Sequence, residues 1–83
     1  MILTDGLHLV SDSSLDELHE FAASIGLKRC WYRRGHYDLF GNKLSVAVAH
    51  GAKTVHPREC AKARRVAMVA KDINRWLLLV DSE

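Results

Sequence analysis

Apolar positions recur at two spacings along the chain, and the changes between them mark out its elements. Leu7-His8-Leu9-Val10 reads as a short strand, entered through a tight turn at Asp5-Gly6. Next, Ser14-Leu15-Asp16-Glu17 has the form of a capping box, a hydroxyl N-cap with a glutamate three residues on that can reach back. Leu15, Leu18, Ala22 and Ile25 follow at helical steps, with Phe21 widening the stripe, and Gly26 supplies the residue that ends a helix with positive φ. The pattern predicts a first helix over Ser14 to Ile25.

Leu27 to Tyr32 alternates and contains two aromatics, which predicts a strand with Trp31 in the core. Arg33-Arg34-Gly35 is a loop, and His36-Tyr37-Asp38-Leu39 is extended. A second helix is expected from Asn42 to His50, closed by Gly51 and buried on most sides, Leu44 and Val48 included. Lys53 to Val55 is a brief strand, and Pro57 suits the first position of a helix, where its missing N–H is not needed. That last helix runs from about Arg58 to Val80, with Val66, Val69, Ile73, Trp76 or Leu77, and Val80 at steps of three and four. Arg64, Lys71 and Arg75 fall on its far side. Strands separated by helices predict an α/β fold: a small mixed or parallel sheet of about three strands, three helices, and a long C-terminal helix that protrudes.

At 83 residues there is room for one domain. We divide it into a compact α/β core over residues 1–59 and a C-terminal helix over 60–83. The apolar share of 48% and charged share of 27% are those of a folded globular chain. Neither a secretion signal nor a bilayer-spanning run is legible, since the longest apolar run is Trp76 to Val80. Two cysteines make no disulfide scaffold, so the expected location is cytoplasmic, with no membrane partner.

His8-Leu-Val-Ser-Asp12, Asp16-Glu17-Leu18-His19, Gly26-Leu27, Trp31-Tyr32, His36-Tyr37-Asp38 and Ala47-Val-Ala-His-Gly51-Ala52 occur in this order. Over roughly Ile2 to Glu59 the chain resembles a family of short bacterial and bacteriophage proteins classed as domain of unknown function four thousand and thirty-one. That resemblance implies a compact fold and brings no activity with it. The long helix lies mostly beyond the resemblance.

Candidate chemistry is concentrated in histidine and aspartate. His8, Asp12, His19, His36 and Asp38, with Asp5, are the expected members of one cluster, and imidazole with carboxylate suits a divalent metal as cofactor. Such an ion would make this a metal-dependent hydrolase or nuclease-like domain. The competing reading is structural, with Asp5 holding a turn, Asp12 a cap, and the histidines bonded to buried groups. A Cys₂His₂ set from Cys30, His36, His56 and Cys60 is a weaker alternative, because its spacings are loose. Lys28, Arg29, Arg33 and Arg34 surround Trp31 and can grip a nucleic acid by phosphate contact and base stacking. The net charge of +2 gives little steering for that. Val66, Val69, Ile73, Trp76, Leu77 and Val80 form the expected homo-oligomer interface. With no catalytic signature in the chain, the leading expectation is a non-catalytic accessory domain that self-associates and binds a protein or nucleic-acid partner.

Overall fold

The computed structural model describes the backbone of residues 1–81 and the side chains of residues 1–69. Its strands are β1 (Ile2–Thr4), β2 (His8–Ser11), β3 (Tyr37–Asp38) and β4 (Lys53–Thr54). Its helices are α1 (Leu15–Ser24), α2 (Lys43–Ala49) and α3 (Pro57–Asp81), and a single 3₁₀ turn spans Arg29–Trp31. The strands form one mixed sheet in the order β3-β2-β1-β4. β2 runs antiparallel to both β1 and β3, and β4 runs parallel to β1. The α/β class is therefore as expected, with four strands in place of about three.

Strand alternation gives the sheet two apolar faces, and a helix lies on each. Ile2, Leu9 and Tyr37 pack with Leu15, Leu18 and Ala22 of α1 and with Ala47 of α2. The intervening residues Leu3 and Val10 pack with Cys60 and Ala63 of α3. The first face is shielded from water by α1 with α2 and the second by α3, so burial on both sides fixes the strand register.

Helix ends follow local chemistry. Ser14 Oγ accepts the Glu17 N–H at 3.1 Å, as a cap should. The reciprocal half of the capping box is absent: the Ser14 N–H donates to Ser11 Oγ instead, and Glu17 Oε1 accepts from the Ser11 hydroxyl at 2.7 Å. α1 ends in a Schellman motif, with Gly26 at φ 82° and the Leu27 N–H donating to the Ala22 carbonyl at 2.9 Å. Gly51, at φ 107°, closes α2 in the same way, with the Ala52 N–H on the Ala47 carbonyl.

Several expectations are corrected. Leu27 to Tyr32 is not a strand: its middle is the 3₁₀ turn, and Trp31 is 38% exposed rather than core. Ile2–Thr4 takes the place in the sheet that this segment was expected to fill. α2 is less buried than its composition suggests, since Ala47 is its sole buried residue, Leu44 is half-buried and Val48 is exposed. On α3 the face turned to the sheet is the small-residue stripe Cys60, Ala63 and Ala67, whereas Val66 and Val69 are about half exposed. Arg64, expected on the far side, is half-buried beside that stripe. Cys60, Ala63 and Ala67 of α3 belong to the core. Ile73, Trp76, Leu77 and Val80 lie outside the residues whose side chains are described.

Candidate metal site at the β2–β3 edge

Two tight turns set the geometry. Between β1 and β2, Asp5 Oδ1 accepts the N–H groups of Leu7 and His8 at 2.9 and 2.8 Å, and its Oδ2 meets His8 Nδ1 at 3.0 Å. Before β3, Arg33 and His36 exchange both backbone hydrogen bonds, so Arg34 and Gly35 are the two central residues of the turn. Both have positive φ, 44° and 89°, the signature of a type I′ hairpin turn. Register then pairs His8 with Asp38 across the strands. His36 precedes Asp38 by two residues and so shares its face.

Three side chains converge as a result. One donor atom from each of His8, His36 and Asp38 lies within 4.8 Å of the other two. Asp38 Oδ1 is 3.4 Å from His36 Nε2 and 3.8 Å from His8 Nε2, and the two imidazoles meet edge to face at 5.1 Å. Ligands about 2.1 Å from a common ion sit roughly 3–3.5 Å apart at tetrahedral or octahedral angles, so small inward shifts would complete a metal shell. Beside the imidazoles is a cleft of about 230 Å³ lined by Asp5, His8, Val10, His36, Pro57, Cys60, Ala61 and Arg64.

The protonation pattern follows from these contacts. Burial pushes the Asp5 carboxyl upward, but hydrogen bonds from His8 and from the Leu7 and His8 backbone outweigh it, leaving the carboxyl below its usual range. An ionised Asp5 accepts, so a neutral His8 places its proton on Nδ1 and turns the Nε2 lone pair toward Asp38. With that tautomer two acceptors face each other, and a cation between them would satisfy both. His36 is held below the ordinary imidazole pKa by burial, then by the neighbouring His8 and Arg64 charges, with Asp38 opposing. Its Nδ1 is buried with no hydrogen-bond partner among the described residues.

The other candidates lie elsewhere. His19 is on the α1 face of the sheet, its Nδ1 2.9 Å from the Tyr37 hydroxyl and its ring against Tyr32. Asp12 pairs with the Met1 ammonium at 2.9 Å. Neither joins the three converging ligands. Burial raises the Cys60 thiol pKa to about 11, the exposed Cys30 is outside the group, and His56 Nδ1 accepts the Arg58 N–H. The Cys₂His₂ set is therefore not assembled among the described residues. Lys28 and Arg29 are used locally, their cations lying 5.5 Å over Trp31 and 5.0 Å over Tyr32. Trp31 meets Phe40 edge to face, and both line a shallow groove with Cys30, Arg33 and Asp38. Arg34 forms the hairpin turn.

Sequence reasoning missed Phe40 and Arg64. The large apolar residues of α3 drew its phase away from the small stripe, and Arg64 directly follows Ala63 of that stripe. Among the described residues, no helix is long and apolar enough to cross a membrane. No curated protein and no solved structure matches the chain. One family profile does, over residues 5–67. The match begins at the aspartate that fixes His8 and ends at Ala67, the last buried residue described on α3, two turns beyond the expected limit at Glu59. The chain belongs to the family described as protein of unknown function, DUF4031.

Proposed function

We propose that this domain binds a divalent transition-metal ion through His8, His36 and Asp38, with Asp5 orienting His8 from behind. The observation behind this reading is the approach of His8 Nε2 and His36 Nε2 to the same Asp38 oxygen, at 3.8 and 3.4 Å. At 3.8 Å the pair is too long for a hydrogen bond, and an ion would satisfy both. A carboxylate behind a metal-binding histidine is the usual supporting contact at such sites. Three protein ligands leave coordination positions for water or substrate, as in catalytic rather than structural zinc sites. An ion held there would acidify a bound water and polarise an oxyanion, the chemistry of a metal-assisted hydrolase.

The test is metal titration by calorimetry, with bound metal counted after dialysis. Wild-type protein should take up one Zn²⁺ or Mn²⁺ per chain. His8→Ala and His36→Ala should abolish this while remaining folded by circular dichroism, and His19→Ala should retain it. Failure of the wild type to hold a stoichiometric ion would sink the reading, as would equal losses in all three variants.

A second reading, self-association through α3, draws on the exposure of Val66 and Val69, 50% and 53%. It is compatible with the metal site, which uses neither residue.

A further inference from the structure

The cleft beside the two histidines contains a cation that the metal reading does not use. Arg64 lines it from the second turn of α3, half-buried, and makes no ion pair or hydrogen bond among the described residues. Its stem is held closely, because a Cβ on Gly35 would come within 2.6 Å of Arg64 Cγ. The one carboxylate lining the cleft, Asp5, is already engaged by His8 and two backbone N–H groups. A guanidinium cannot shed its charge as a buried lysine can, and its planar fork matches an oxyanion.

We propose that Arg64 and the metal together make this cleft a binding site for a small oxyanion, a phosphoryl or carboxylate group, that would bind the metal at its open positions. The charge balance favours it: the carboxylates of Asp5 and Asp38 offset a divalent ion, and Arg64 leaves the site positive. Size agrees, since about 230 Å³ falls below the roughly 300–1,000 Å³ of sites for drug-sized ligands and suits a head group. The proposal rests on the metal reading for its second contact, and on Arg64 alone for its first.

Inorganic phosphate is the probe, titrated into metal-loaded protein dialysed free of excess ion, with acetate as competitor. Phosphate should bind the loaded wild type, and Arg64→Gln should weaken it at least tenfold while metal stoichiometry is unchanged. Arg64→Lys, keeping the charge without the fork, should fall between the two and guards against a folding defect in the glutamine variant. Displacement by acetate at equal concentration assigns the cleft to carboxylates, and failure to displace assigns it to phosphoryl groups. Equal phosphate affinity in wild type and Arg64→Gln overturns the proposal, as does no phosphate binding to the loaded wild type. Should the wild type take no metal, the metal reading fails separately. Phosphate binding by the metal-free chain that Arg64→Gln removes would then uphold the anion site, and its absence would end it.

Discussion

Ser11 is fully buried, and its hydroxyl joins β2 to α1. Its oxygen accepts the Ser13 and Ser14 N–H groups at 3.0 and 3.1 Å while its proton goes to Glu17. Ser11→Ala leaves two backbone donors and a carboxylate short of a partner, so chemical denaturation should register a loss of about 1–3 kcal/mol. Glu17 adds a pH signature. Its carboxyl lies below the ordinary 4.5, first because it accepts from the Met1 ammonium and further through Ser11, against burial. A carboxyl with a lowered folded pKa contributes stability above its unfolded value and loses it as pH falls through the folded one. The melting-temperature gap between wild type and Glu17→Gln should therefore be present at pH 6 and close below about pH 4. The groups are more than a third exposed, so the gap should correspond to at most about 1 kcal/mol. At the candidate site, Asp5→Asn removes the charge that fixes the His8 tautomer. Zinc affinity should fall about 10–100-fold with its stoichiometry kept. An unchanged affinity would mean that Asp5 serves only its turn.

At the scale of elements, small residues decide how close α3 comes to the sheet. Cys60 and Ala63 let the helix settle on Leu3 and Val10, Ala67 packs into the other core cluster with Leu9 and Tyr37, and the Gly35 turn presses against Arg64 and Met68 from the side. Ala63→Leu would force extra methylenes into this contact at a cost of about 1–3 kcal/mol, readable as a lower denaturation midpoint. No cost at all would mean that the helix stands off the sheet. The same feature explains what could be read in the chain and what could not. α1 was legible because cap, stripe and terminal glycine agree, and His36 and Asp38 were legible as neighbours because strand periodicity is strict. The phase of α3 was not, since hydrophobicity weights large residues and its buried face is built of alanine and cysteine. Leu27 to Tyr32 misled for a related reason. Its aromatics satisfy strand propensity, yet Trp31 rests against Phe40 and Lys28 at the surface, while Leu27 is buried in the core and Tyr32 packs partly buried against it. As for the candidate site, its three converging side chains were all in the expected cluster, but His19 lies on the α1 face of the sheet and Asp12 past the other end of β2, which only tertiary structure sets.

Across the whole molecule, α3 outgrows the body that it packs on. Its 25 residues extend about 37 Å at 1.5 Å per residue, and the molecule measures 48 Å along its longest axis against 25 and 19 Å along the others. The family match stops at Ala67, the last buried residue described on α3. Beyond it the sequence still repeats large apolar residues at steps of three and four, and the described start of that stripe, Val66 and Val69, is about half exposed. Burying a valine from water is favourable by roughly 1.5–3 kcal/mol, and a two-fold pairing of helices counts each position twice, against association costs of several kcal/mol. On the proposed reading, pairing of two copies would bury this stripe. Sedimentation at tens of micromolar should find a dimer or larger species, and Val66→Asp with Val69→Glu should shift it toward monomer by at least tenfold in dissociation constant. Both positions are about half exposed and belong to neither core cluster, so the variant should keep its metal stoichiometry and its melting behaviour at low concentration. A wild type that sediments as a monomer throughout this range would refute pairing through α3 and leave the metal site as the domain's one proposed function.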